Sequence, residues 1–390
     1  MTTSPELKPF GEILEKVLKS VPPDSSPVFC LLPDIWASPQ ALAPEKRDLL
    51  VPHLRTVKLR CKTAEFIFSS SGDYINISDG ALNLLWCASY ASWLIYRAYV
   101  DAQKTGSSTV KLGQDQEAVR ALDLYEWAIA CVRNRKYETW PSWAPKPTRS
   151  PESDALHVGT EIFLATVGWM LLHELGHIAH QDPVLVTASA KGEEHEADRF
   201  ATSHVLDGVS DAAILLKRSI GIAVANVVLI LIDFIASSAV DSHPDPEERL
   251  SRNLRENQLA NSNPVHAFAT AMMQVHLQRF GVPLVLEENE NFASFVDDFC
   301  LALKDIGSVN VCGYRCLLFA YPGGSFFFIA PPMCCLDIVR VIVSPRPSHS
   351  FGILMVGDDV GIVGKLFVAD GAYPALFDNF AVHQLSHLGW

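Results

Sequence analysis

The strongest constraint on this chain is a His-Glu-x-x-His motif, residues 173–177, which lies inside an apolar run from Ile162 to Ile178. Apolar residues recur in the run at three- and four-residue spacing, which predicts a buried helix. Because positions i and i+4 share one face of a helix, His173 and His177 can both direct an imidazole at one metal ion. Glu174 lies about 100° round the helix from His173, where its carboxylate can take a proton from water. The motif also occurs by chance on helices that bind no metal, so further residues of the chain are needed to establish a metal site.

Composition narrows the class of protein. The chain has 390 residues, of which 49% are hydrophobic and 19% charged, enough for one large domain or two to three ordinary ones. Its net charge of −13 argues against a nucleic-acid-binding surface and suits an acidic protein of the cytoplasm. Residues 1–6 have neither the basic nor the apolar segment of a signal peptide, so we expect no export.

The nine cysteines are scattered along the chain. Their odd number and the lack of an export signal predict free thiols in a reducing compartment. Cys312 and Cys316, with the neighbouring pair Cys334 and Cys335, match no common zinc module, so we interpret them as core or strand cysteines.

The segment patterns predict an α+β protein with three regions. A mainly helical core is expected at 151–308, between an N-terminal α/β region at 1–150 and a β-rich C-terminal region at 309–390. The proline-rich connector at 140–147 sets the first boundary. Helices are expected at 10–18, 81–101, 114–133, 162–178, 193–206, 214–240, 265–280 and 292–304. Strands are expected at 65–68 and 74–77, with a turn at 69–73 between them, and at 316–320, 325–329, 339–343 and 361–368.

The apolar stretch at 214–240 could be taken for a membrane span. Its uninterrupted apolar part, Ile220 to Ile232, is 13 residues long, contains Asn226 and is closed by Asp233. A span needs about 20 residues. We therefore expect a buried core helix and no stable insertion into a membrane.

A catalytic zinc site usually has three protein ligands, so a third ligand must join His173 and His177. Two residues compete for this position. His180 falls near the same helix face, but its Cα would lie about 10 Å from that of His173, which strains a tetrahedral site. Glu194, on the following helix, is the better candidate because it can approach from the side. Asp198 lies one turn further on and can accept a hydrogen bond from the free nitrogen of a ligand histidine.

These ordered motifs resemble those of the gluzincin metallopeptidases of the HtpX and CaaX-prenyl-protease type. The matching residues are His173-Glu174-x-x-His177 and Glu194-x-x-Ala197-Asp198. The arrangement is also similar to the Lit-type phage-exclusion peptidases of bacteria, over residues 140–260. The resemblance implies a zincin-type core, Zn²⁺ held by the two histidines and Glu194, and a protease triggered by a partner. The multiple membrane spans of the prenyl-protease group are absent from this sequence.

A third motif, Ser242-His243-Pro244-x-Pro246-x-x-Arg249, is similar to the His-Pro…Arg segment of that group. Prolines restrict the backbone there and can fix the direction of a side chain. We expect His243 to donate a hydrogen bond to the oxyanion that develops in the reaction, and Arg249 to pair with a carboxylate such as Asp198. The alternative is that His243 caps the following helix and Arg249 lies on a solvated face.

The sequence therefore favours a zinc-dependent endopeptidase acting on a protein or peptide, with Glu174 as general base and an activating protein or peptide as partner. The alternative is a metal-binding sensor or regulatory protein that has a protease-like domain and no hydrolytic activity. In that alternative the metal site would be structural. A closed structural zinc site usually has four ligands, with cysteine among them, and no cysteine lies between Cys131 and Cys300, which argues against a structural site.

Overall fold

The computed structural model describes residues 25–32, 56–71, 74–106, 112–149, 154–179, 190–236, 246–255 and 263–279, with short pieces between and after them. Within these residues the fold is mainly helical and carries a small mixed sheet, so the α+β prediction is confirmed. The strands before the first helix are β1 (Thr56–Arg60), β2 (Phe68–Ser71) and β3 (Tyr74–Ser78). The helices are α1 (Asp79–Lys104), α2 (Gln116–Asn134), α3 (Asp154–Ala179), α4 (Ala190–Leu206), α5 (Ala212–Ala236), α6 (Pro246–Arg255) and α7 (Pro264–Arg279).

The small sheet has the strand order β1-β3-β2, with β1 parallel and β2 antiparallel to β3. The predicted antiparallel pair is present, but its first strand is shifted: β2 begins at Phe68, the last residue of the strand expected at 65–68, and continues to Ser71, so the predicted turn at 69–73 was wrong. Serines favour turns, and here pairing with the buried β3 overrides that local preference. Phe68 and Ile75 turn to the core, and β2 lies at one edge of the sheet, next to α3.

Helix α1 begins directly at the sheet. The Ser78 hydroxyl accepts a hydrogen bond from the Ala81 N–H, which caps the helix, and donates one to the Glu65 carbonyl. Gly80 lies so close to the chain before β2 that a Cβ there would be 2.5 Å from the Ala64 carbonyl oxygen. The entry to α1 is thereby fixed against the strands.

Among the described helices, α3 packs against α1, α4 and α5. It is apolar on all sides, as expected of a helix enclosed by others. Two glycines allow close approach, because a Cβ on Gly159 would be 2.9 Å from the Cα of Tyr90, and one on Gly221 would be 2.6 Å from the Cβ of Ala165. One hydrophobic core extends over both sides of residue 150. The division into three regions stays a prediction.

Two helices are long and apolar enough to cross a membrane, over Ala155–Ile178 and Ala212–Asp233. In the first, 89% of the apolar window is buried inside the protein, and in the second, 83%. Core helices of globular proteins have the same character, so these helices are weak evidence for a span.

Beyond residue 300 the structure describes only strand backbone. The strands β5 (Leu317–Ala320) and β6 (Phe326–Ile329) pair antiparallel, within two of the predicted strands. Strand β7 (Gly364–Lys365) pairs with the short β4 (Thr109–Val110). The expected strand at 339–343 and most of the expected helices at 10–18 and 292–304 lie outside the described residues. The described cysteines are free thiols, as predicted: Cys30, Cys61, Cys87, Cys131 and Cys300.

Candidate metal centre

The candidate centre is formed at a close approach of α3 and α4. Gly176 of α3 faces Ala197 of α4, and a Cβ on Gly176 would be 3.0 Å from the Cα of Ala197. Two small residues therefore let the helix backbones meet. This contact brings Glu194, one turn before Ala197, beside the histidines of α3.

Three donor groups converge from these two helices. Nε2 of His173 and Nε2 of His177 are 3.1 Å apart. The Glu194 carboxylate contacts both, with Oε2 at 3.4 Å from His173 and Oε1 at 3.3 Å from His177. His173 and Glu194 are buried, whereas the His177 side chain is 20% exposed, so the cluster faces solvent on the His177 side.

The spacing of the donors fits a small divalent cation. Zinc binds histidine nitrogen at about 2.0–2.1 Å, so two ligands at tetrahedral angles lie about 3.3 Å apart. The three donor contacts of the cluster, at 3.1–3.4 Å, match that separation. Two imidazoles and one carboxylate are also the ligand types of catalytic zinc, which keeps a further position open.

Asp198 links the cluster to a buried arginine. Its Oδ1 lies 2.9 Å from Nδ1 of His173, which leaves Nε2 of that ring directed at the other donors. Arg249, on α6, donates two hydrogen bonds to Asp198, Nε to Oδ2 at 2.8 Å and Nη2 to Oδ1 at 2.5 Å. Nη1 of Arg249 also lies 3.7 Å from Glu194.

Burial and charge act in opposite directions on these groups. Burial disfavours the charged imidazole of His173, but the Asp198 and Glu194 carboxylates outweigh it and raise its pKa to about 9. Burial also opposes ionisation of Asp198, yet Arg249 and His173 lower its pKa to about 2. Asp198 is therefore an anion that can hold a proton on Nδ1 of His173.

Glu174 contacts the small sheet. Its carboxylate is buried, and Oε2 accepts a hydrogen bond of 2.5 Å from the backbone N–H of Ser70. Ser70 belongs to β2, the strand at the edge of the sheet. Since this N–H points to Glu174 rather than to β3, the side of β2 that faces away from β3 lies beside Glu174.

The structure brings together all the predicted site residues that it describes: His173, Glu174, His177, Glu194, Asp198 and Arg249. Arg249 is 6% exposed, so the alternative of a solvated face was wrong. His180 and His243 lie outside the described residues, and the oxyanion role of His243 stays a prediction. Sequence reasoning missed Ser70, which no local pattern links to Glu174, and Trp169, which stands one turn before His173.

Comparisons with known proteins define the class. The chain is similar to the cell death peptidase of Escherichia coli (strain K12), with 28% identity over 301 residues that cover 73% of this chain and 99% of that protein. No solved structure matches the chain. That relative is itself named a peptidase, which indicates the class of protein.

The particular family follows from a family model. The model described as Peptidase U49 matches residues 75–269, half of the chain, and the chain belongs to this family. The match starts at β3 and includes every site residue named above except Ser70. The similarity therefore extends further towards the N-terminus than the expected 140–260.

Proposed function

We propose that this protein is a zinc-dependent endopeptidase whose ligands are His173, His177 and Glu194. The observation that carries the proposal is the cluster of these three donors, whose ligand atoms all lie within 4.8 Å of one another. Membership of a peptidase family supports the same reaction class. The ordered motifs also support a gluzincin type, related to the HtpX and CaaX-prenyl-protease group.

A bound zinc ion would supply Lewis-acid chemistry, making water more acidic and polarising the scissile carbonyl. The chain's own residues carry the rest of the reaction. Glu174 takes a proton from the attacking water and passes it to the leaving amine. His243 donates a hydrogen bond to the oxyanion, and Asp198 and Arg249 keep His173 and Glu194 in place.

The side of β2 that faces away from β3 gives the substrate a place to bind. An extended peptide can add to a sheet edge through main-chain hydrogen bonds, and this side lies beside Glu174. The Ser70 N–H on this side donates to Glu174, and the backbone groups of Phe68 face the same way because outward groups alternate along a strand. This arrangement favours an unfolded protein segment or a peptide as substrate.

Trigger and location are part of the same proposal. The resemblance to phage-exclusion peptidases suggests that an activating protein or peptide switches the enzyme on, acting through the regions outside 75–269. The acidic composition and the buried apolar helices support a place in the cytoplasm. Nucleic acid is not expected as a partner.

A sensor or regulatory protein with a metal site and no hydrolytic activity is the second candidate. The hydrogen bond from the Ser70 N–H to Glu174 favours this candidate, because it gives the Glu174 carboxylate a structural role that needs no catalysis. The two candidates differ in whether Glu174 is needed for turnover.

The test compares wild type with Glu174→Gln, which is nearly isosteric but cannot act as a base. We expect one zinc per chain in both proteins, by metal analysis, and cleavage slower by about 10²–10⁴-fold in the variant. Comparing protein fragments in cells that make each form would identify the substrate. Equal fragment patterns would favour the sensor, and zinc bound by Glu194→Ala but not by His180→Ala would reassign the third ligand.

A further inference from the structure

Trp169 contacts the candidate ligand His173 on a face of its imidazole. It lies one turn before His173 on α3, and its indole stacks on the imidazole with ring centroids 5.7 Å apart and planes 26° apart. Trp169 is fully buried. The indole therefore supports the plane of the imidazole, while Asp198 contacts its edge.

The indole of Trp169 is itself fixed by a contact with α4. Nε1 of Trp169 donates a hydrogen bond of 2.9 Å to Oγ1 of Thr202, a buried residue of α4. Thr202 lies one turn after Asp198 and two turns after Glu194. The helix that supplies Glu194 thus also fixes the ring that supports His173.

The need for such support follows from the side chain of histidine. The torsion that turns an imidazole about its bond to Cβ is broad, so backbone and rotamer preference do not fix the ring plane. Asp198, 2.9 Å from Nδ1 of His173, contacts one edge of the ring, and a contact at one edge permits the ring to tilt. A stacked indole restricts this tilt. Mutation of residues that contact metal ligands commonly weakens metal affinity by about 10–100-fold.

We propose that Trp169, anchored by Thr202, is a positioning residue that orients the His173 imidazole for metal binding. This inference depends on the metal site of the proposed function. The Trp169–Thr202 hydrogen bond then has a role beyond packing. Without this bond the indole can move, and the His173 imidazole that it supports loses its fixed orientation for metal binding.

The chain contains a matched control. Trp86 of α1 is equally buried, and its Nε1 donates a hydrogen bond of 3.2 Å to Oγ1 of Thr160 on α3. This pair also joins two helices through an indole and a threonine, but its aromatic neighbours are Tyr90 and Trp140 rather than a donor of the cluster. Its loss should affect stability alone.

The experiment measures Zn²⁺ affinity of the full chain by competition with a chromophoric chelator, together with the melting temperature of the metal-free protein. Thr202→Val and Trp169→Leu should weaken zinc binding by about 10–100-fold. Trp169→Phe, which keeps an aromatic face, should recover part of the loss seen with Trp169→Leu. The visible absorption of bound Co²⁺ should change in Thr202→Val, since it reports ligand geometry.

Thr160→Val and Trp86→Phe should lower the melting temperature by similar amounts and leave zinc affinity and the Co²⁺ spectrum unchanged. The inference is overturned if Thr202→Val and Trp169→Leu bind zinc as tightly as these controls do. Failure of the proposed function is a different result, in which the wild-type chain itself takes up no zinc.

Discussion

Arg249 and Asp198 form a buried ion pair in which the guanidinium contacts both carboxylate oxygens, at 2.8 and 2.5 Å. The residues are 51 positions apart and join α6 to α4. On its other side, Asp198 lies 2.9 Å from Nδ1 of His173. A structural contact between two helices thus continues into the orientation of a candidate ligand.

Removing the arginine should destabilise the protein strongly. In Arg249→Met, the Asp198 carboxylate stays buried without its main cation, and breaking a buried pair in this way costs about 3–5 kcal/mol. Denaturant unfolding of the metal-free chain measures the loss. Arg252→Met on the same helix is the control, because Arg252 pairs with Glu248 at the surface and such pairs contribute about 0–1 kcal/mol.

The double variant Asp198→Asn/Arg249→Met separates charge from packing. If the buried charge causes the loss, the double variant should be more stable than the sum of the single effects by about 1 kcal/mol or more. Asp198→Asn should also weaken zinc binding by about 10–100-fold, since His173 loses its anionic partner. Strictly additive losses of stability would show that the two charges do not interact.

Gly176→Ala tests the close approach of α3 and α4. The new methyl group would be 3.0 Å from the Cα of Ala197, so the helices must separate by a few tenths of an ångström. Alanine favours a helix by about 1 kcal/mol, while overpacking costs about 1–3 kcal/mol, which leaves a small net loss of stability. Zinc affinity should fall more clearly, because Glu194 moves with α4 while both histidines stay on α3.

Gly221→Ala is the control for this change. A Cβ at Gly221 meets Ala165, about 12 Å along α3 from His173, so overpacking there should cost stability without moving the donors. The interpretation fails if both glycine variants weaken zinc binding equally.

Much of the fold could be predicted because helices are local. The expected helix at 81–101 is observed as α1, Asp79–Lys104, and the expected helix at 193–206 as α4, Ala190–Leu206. The differences lie at the helix ends, because capping residues and packing of the neighbouring chain set where a helix begins and ends. The parallel pairing of β1 with β3 was not predicted, since pairing between distant segments leaves no periodic signal in either one.

The candidate site was likewise predictable only where spacing within one helix defines it. The spacing of His173, Glu174 and His177 within one helix predicted that part of the site, and the i, i+4 spacing of Glu194 and Asp198 predicted the part on the next helix. The contact of Ser70 with Glu174 spans 104 positions and depends on how the sheet edge packs on α3, which no spacing encodes. The small pair Gly176 and Ala197 was visible in the sequence, but only the packed helices reveal that the two residues meet.

Ser70→Pro tests the edge strand. Proline removes the N–H that Glu174 accepts and puts its ring where the carboxylate lies, so the buried Glu174 side chain must move, while the pairing of β2 with β3 is kept. We expect metal content to be kept, stability to fall by about 1–3 kcal/mol because a buried carboxylate loses a hydrogen bond, and turnover of an identified peptide to fall about tenfold or more because Glu174 loses its fixed position. Ser69→Pro should disrupt the pairing with β3 and lower the melting temperature further. Wild-type turnover in a folded Ser70→Pro protein would remove β2 from the reaction.

Asn226→Leu decides whether α5 is a core helix or a membrane span. Asn226 is fully buried within the apolar stretch; its Nδ2 donates to the Ile222 carbonyl and its Oδ1 accepts a hydrogen bond of 3.1 Å from Asn253 on α6. In a core helix, leucine removes the acceptor of Asn253 and should cost about 1–3 kcal/mol, with the protein still recovered without detergent. In a membrane span the same change would make the run from Ile220 to Ile232 wholly apolar and strengthen insertion. Fractionation with salt and alkaline washes, together with thermal unfolding, distinguishes these outcomes. Recovery of wild type and variant only in washed membranes would contradict the cytoplasmic proposal.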